Sequence, residues 1–171
     1  GSSSWLVYNK NIGNNKLLYL NGTQGEVSTD ATFMQTTDPT SSVFYVGTWG
    51  DINGSSDTYI AYCFAEKKGY SKFGSFVGNG SNDGTFIYLG FKPALFLWKQ
   101  TTNKNWHIKD NKRLASFNPA NGHLYPNQSH VEEDYADFDF LSNGVKIRHN
   151  GTDVNESGGT YIYMAFAESP F

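Results

Sequence analysis

The chain has 171 residues and a formal net charge of −3, without the basic patch or stripe that marks a nucleic-acid-binding domain. No apolar run approaches the ~20 residues a helix needs to cross a bilayer, and the single Cys63 excludes an internal disulfide and a cysteine-rich zinc site. Aromatic residues make up 16% and charged residues only 17%. With abundant Gly, Asn, Ser and Thr, this composition describes many short strands joined by tight turns, and no window sustains a helical period.

In chain order the alternation predicts strands at 5–8, 17–20, 43–47, 58–65, 73–77, 85–91, 94–99, 105–109, 137–141, 145–148 and 160–167. The connectors NGTQGE, TTDPTSS, GNGSNDG and NPANGH are turn-rich. SNDGTF (81–86) and LSNGVK (141–146) read as hairpin turns, because Asp-Gly and Asn-Gly tolerate positive φ. Pro93 cannot donate to a ladder and belongs at a strand start or an edge. The segment 110–136 is expected to be irregular, with a short helical turn near Val131–Tyr135. The predicted fold is an all-β antiparallel β-sandwich of jelly-roll or lectin-like type.

The phrase TYIAYCFAE (58–66) returns as TYIYMAFAE (160–168). Residues 43–66 align with 145–168 at a constant offset of 102, and ten of the 24 positions are identical. WLVYNK (5–10) resembles WHIKDN (106–111), and LYLN (18–21) resembles LYPN (124–127). Order is kept throughout, so the chain reads as two related repeat units of about 100 residues. The first spans 1–69 and the second 70–171. The first copy has no counterpart of the strands at 73–77, 85–91 and 94–99, and its leading GSSS falls where a hairpin loop is expected. The expected explanation is a cut at that loop in a longer polypeptide, with strands supplied by another chain or a degenerate copy that has re-closed as the alternatives. In the repeated strand both faces are largely apolar, as in a central strand covered on both sides. The expected place of 58–65 is therefore buried, with Cys63, matched by Ala165, as packing.

Chemical signatures are sparse. His107, His123, His130 and His149 have no metal-ligand spacing and read as structural or surface residues. The acidic run VEEDYADFD (131–139) reads as a solvated loop. The cation it could take is calcium, through Asp134, Asp137 and Asp139. No nucleophile elbow or phosphate loop is present. Glu66 and Glu168 are the one duplicated acid, which reads as a strand-terminal salt-bridge or surface residue. The chain is accordingly expected to be non-enzymatic and to need no cofactor. Aromatics beside Asn and Asp are how lectin-like sites hold sugars, and Trp49, Trp98, Trp106 and Tyr125 are the carbohydrate-binding candidates. Core or interface packing is the competing reading for each of them.

GYSKFGSFVGNGSNDGTFIYLGFKPALFLWK, FNPANGHLYPN, DFLSNGVKIR and NESGGTYIYMAFAESPF resemble an uncharacterised repeat domain of virion structural proteins in tailed bacteriophages, especially marine ones. The matching motifs are Phe91 to Lys99, Trp106 to Asp110, Asn143 to Lys146 and Thr160 to Ala167. The resemblance covers 5–171 and is strongest in the second copy, and its motifs are strand and turn residues. It implies a tail-fibre or other appendage module used in host attachment. Such a module would be folded in the host cytoplasm and act extracellularly on the virion. Its expected partners are further copies, other virion proteins or a host surface glycan, with no nucleic acid and no membrane insertion. Two other readings stand beside it: a carbohydrate-binding module of a secreted bacterial protein or adhesin, and a hydrolase of surface polysaccharide.

Overall fold

The phrase TYIYMAFA forms β11 (Thr160–Ala167) in a computed structural model that describes residues 4–113 and 118–169. β11 is paired along both edges. β4 (Ser71–Val77) runs antiparallel on one side and β6 (Pro93–Gln100) on the other, and β7 (Trp106–Asp110) completes a sheet in the order β4-β11-β6-β7. A second four-stranded sheet has the order β5-β10-β9-β8, from β5 (Phe86–Tyr88), β10 (Gly144–Ile147), β9 (Glu133–Leu141) and β8 (Ala120–His123). Ser142 and Asn143 make the tight turn between β9 and β10, with Gly144 opposite Leu141. Gly144 has no side chain because the neighbouring strand comes too close: a Cβ there would overlap the Ile87 carbonyl of β5.

Alternate residues of these strands build one core. Phe96 and Trp98 of β6 and Tyr161, Tyr163 and Ala165 of β11 meet Phe138 and Phe140 of β9 and Val145 and Ile147 of β10. Fully burying one such large side chain contributes roughly 1.5–3 kcal/mol, so this aromatic layer accounts for the composition. The fold is all-β with antiparallel sheets, as the sequence predicts, and a sandwich is formed within residues 71–167. Pro93 is the first residue of β6, where its missing N–H costs no ladder bond.

A three-stranded antiparallel sheet, β1 (Leu6–Val7), β2 (Lys16–Tyr19) and β3 (Val27–Ser28), lies against the outer side of the first large sheet. Its centre is β2, whose adjacent leucines point to opposite faces. Leu18 joins Ile12, Trp106 and Ile162, while Leu17 joins Phe33 and Met34 of α1 (Ala31–Met34). Asp30 caps α1 by accepting the Thr32 amide at 2.8 Å. Two more single-turn helices follow, α2 (Gly50–Asn53) and α3 (Thr152–Asn155).

Several expectations are corrected. The segments 43–47 and 58–65 belong to no ladder among the described residues, and 58–65 is not buried: Ile60 is 65% exposed and Tyr62 67%, and Cys63 is exposed as well. The physical reason is the absence of partners. β11 is buried because β4 and β6 flank it, and among the described residues no strand flanks 58–65. The stretch 110–136 is more regular than expected, holding β8 and the start of β9. The helical turn near 131–135 is replaced by strand from Glu133 onward. Residues 114–117 of that stretch, and 1–3 of the expected leading loop, lie outside the described residues.

Candidate functional site

The densest group of titratable side chains is interior and spans both large sheets. It comprises His107 and Lys109 of β7, His123 of β8 and Asp137 of β9, all buried. β7 reads WHIKD, and its alternation sends Trp106 to the leucine-rich outer cluster while His107 faces Trp98 of β6, stacked at 4.9 Å between ring centres. The aromatic surroundings continue with Tyr125, whose ring lies 4.6 Å from His123 and 5.1 Å from His107.

His107 Nδ1 and His123 Nε2 are 2.7 Å apart and share one hydrogen bond. Burial lowers His107 to about 4 and His123 to about 3, so both rings are neutral at pH 7. His107 Nε2 and His123 Nδ1 have no hydrogen-bond partner among the described residues. His123 Nδ1 stands 3.9 Å from an Asp137 oxygen, too far for a hydrogen bond. Tyr125 donates to Glu133 at 2.8 Å, and burial together with that carboxylate raises its phenol above the usual value.

Lys109 is the hub. Its ammonium donates to the carbonyls of Ala120 and Asn121 at 2.9 Å and of Tyr135 at 2.5 Å, and it pairs with Asp137 at 2.6 Å. Burial lowers Lys109 and raises Asp137, and their contact opposes both shifts. Through this one side chain β7 of one sheet is fastened to β8 and β9 of the other. Lys99 plays a comparable role at the far side. It is fully buried, it donates to the carbonyls of Thr23, Thr102 and Lys104, and burial brings it down to about 8. The chemistry of both lysines is turned inward, on backbone carbonyls. The signal for them was present in the sequence, as lysines inside the apolar strands FLWKQ and WHIKD.

The sugar-binding candidates do not converge. Trp98 is fully buried in the sandwich core, and Trp106 is 2% exposed with its Nε1 donating to the Tyr19 carbonyl at 2.7 Å. Neither offers a ring face to a ligand, and the competing core reading holds for both. Trp49 is half-buried beside Phe33, and Tyr125 is half-buried against the histidines. The calcium candidates separate too. Asp134 is exposed, Asp137 is paired to Lys109, and Asp139 is paired to Arg148 at 2.5 Å. Among the described residues no group of three or more His, Cys, Asp or Glu is placed to hold a metal ion. Glu66 and Glu168, expected as strand-terminal acids, pair with Lys10 and Lys92.

What the surface does offer is aromatic. Trp5, 48% exposed, stacks on Tyr62 at 5.9 Å, and Phe64, Tyr59 and Phe44 lie open nearby in sequence. An open hollow is lined by Tyr19, Asn21, Gln24 and Asp51, and another by Glu66, Lys68, Lys72 and Tyr88. No helix among the described residues is long and apolar enough to cross a membrane.

No curated protein and no solved structure matches the chain. A family model with the description Domain of unknown function (DUF7483) matches residues 1–170, and the chain belongs to that family.

Proposed function

We propose that the chain is a non-enzymatic structural and adhesive module of a tailed-bacteriophage particle, in a tail fibre or related appendage. The observation that carries this reading is the contrast between interior and surface. The strongly perturbed lysines and histidines are turned inward to hold strands together, while a row of large apolar side chains, Phe44, Tyr59, Ile60, Tyr62 and Phe64, stands 47–67% exposed. Large apolar side chains exposed in such number suit a protein interaction surface. The resemblance carried by the motifs from Phe91 to Lys99 and from Thr160 to Ala167 supplies the biological setting, and other virion proteins or a host surface glycan are the partners. The test is immunogold labelling and mass spectrometry of purified virions encoded by the genome that carries the gene. The chain is expected on the tail or its appendages, and particles lacking it would overturn the proposal.

The hollow beside Tyr19 favours a second reading, a carbohydrate-binding module. Asn21, Gln24 and Asp51 line it with polar groups and Tyr19 with an aromatic ring, the combination by which sugars are held. Glycan-array binding that is lost in an Asn21→Ala or Asp51→Ala chain would favour this reading over the first.

A further inference from the structure

Specific contacts of the C-terminal half recur in the N-terminal half at the spacing of the sequence match. α2 and α3 are 102 residues apart. The Tyr59 hydroxyl donates to the Gly50 carbonyl and accepts the Gly54 amide, as Tyr161 does with Thr152 and Glu156. The Trp5 amide donates to Asn21, and the Trp106 amide to Asn127. Val7 is paired with Leu18, and Ile108 with Leu124. Glu66 accepts from Lys10, and Glu168 from Asn111. By these equivalences β1 corresponds to β7, and 58–65 to β11.

In the C-terminal half β6 runs between β11 and β7, and β4 lies along the other edge of β11. Neither strand has an equivalent beside 58–65 among the described residues. Between Thr58 and Phe64 no backbone group bonds to another backbone group among the described residues. The counterpart of 43–46 is also a paired strand: Val145 and Lys146 of β10 bond to Ile87 and Phe86 of β5, whereas Val43, Phe44 and Val46 are exposed. In the other half Ser71–Gln100 covers both edges of the counterpart of 58–65 and one edge of the counterpart of 43–46, whose second edge is covered by β9.

We propose that 43–47 and 58–65 are a strand-acceptor surface for a β-segment on another polypeptide with the chemistry of Ser71–Gln100. Its β6-like strand would enter between 58–65 and β1. Charge favours this occupant. Residues 43–66 carry Asp51, Asp57 and Glu66 with no Lys or Arg, while 71–100 carries Lys72, Lys92 and Lys99 against Asp83 alone. Lys92, at the entry to β6, pairs with Glu168 at 2.6 Å, and Glu66, which already holds Lys10 at 2.7 Å, stands at the equivalent place, where a donor lysine would join that pair. A second copy of this chain is the poorer donor, because its own 71–100 is already paired to its own β11 and β10. The inference stands apart from the proposed virion role, since it concerns only which strands the surface accepts.

The intact chain, titrated with a synthetic peptide of Ser71–Gln100, tests this by hydrogen exchange read by mass spectrometry. Amides of 58–65 are expected to slow at least tenfold and saturably. The effect is expected to disappear with a peptide carrying Leu95→Pro and Leu97→Pro, and in a Tyr62→Pro chain. Three results would each overturn the proposal: no protection of 58–65, equal protection by the proline peptide, or protection of 58–65 by self-association of the chain alone. Virion labelling reads a different quantity, so the two proposals fail separately.

Discussion

The Lys109 ammonium lies 2.6 Å from an Asp137 oxygen, with neither side chain reaching solvent to any useful extent. A buried pair of this kind is costly to break from one side, because the survivor keeps its desolvation penalty without its partner. Asp137→Asn and Lys109→Met are each expected to cost about 3–5 kcal/mol. The double variant Lys109→Met, Asp137→Asn should cost clearly less than the sum, though not zero, since three carbonyls lose their donor. Chemical denaturation of the four proteins forms the cycle that measures the coupling. Additive losses would show that the two side chains act separately.

The histidine pair makes stability depend on pH in a defined direction. Burial holds both folded-state values below the ordinary 6.5, so the unfolded chain binds protons first as pH falls. The contribution of the neutral pair is complete above pH 6.5 and is lost as pH drops through 6.5 toward the folded values near 4 and 3. By pH 5 the loss is on the order of 2 kcal/mol for His107. Thermal unfolding from pH 7.5 to 4.5 should show the fall, and His107→Leu with His123→Phe should flatten it. An unchanged slope in that variant would assign the acid sensitivity to the carboxylates.

Tyr59 and Tyr161 make the same two hydrogen bonds in different settings. Tyr161→Phe removes two part-buried hydrogen bonds, to the Glu156 amide and the Thr152 carbonyl, made by a fully buried side chain, at an expected cost of about 1–3 kcal/mol. Tyr59 is 48% exposed, so water can replace its hydroxyl, and Tyr59→Phe should cost no more than roughly 1 kcal/mol. Equal costs in urea titrations would show that the bonds of Tyr59 are as well shielded as those of Tyr161.

The tryptophans should separate into two classes. Trp98→Ala empties the middle of the sandwich and is expected to cost about 3–5 kcal/mol. Trp5→Ala touches an exposed ring stacked on Tyr62 and should stay within about 1 kcal/mol, the aromatic-pair contribution. Calorimetric melting of both variants measures the contrast, and similar losses would mean that the Trp5–Tyr62 stack braces the N-terminal sheet.

Much of the C-terminal half was legible because its strands alternate with period 2 and its turns are spelled by Asn-Gly and by Pro93. β11 was read with its boundaries correct. β8 is not legible because ANGH contains turn formers and no alternation, and it is held in place by β9 and by the Lys109 ammonium, which donates to its carbonyls. The interior His–Lys–Asp group was not legible: β7, β8 and β9 follow one another within residues 106–141, but β8 carries no strand pattern, and it takes the β8–β9 pairing and the packing of β7 against that sheet to bring the four side chains together. The buried Trp98 and Trp106 looked like ligand-binding candidates because residue type carries no information about which face of a strand is covered.

Alternation, turn chemistry and the offset of 102 are properties of the sequence alone, and they determine that both copies of the repeated phrase are strand-like and match residue for residue. Whether such a strand is buried is decided elsewhere. TYIYMAFA lies between β4 and β6 with its backbone bonds satisfied and its rings in the core, whereas TYIAYCFA exposes the same pattern to solvent. Burial and ladder pairing belong to neighbours, and only the tertiary structure places neighbours beside one copy and leaves the other without them.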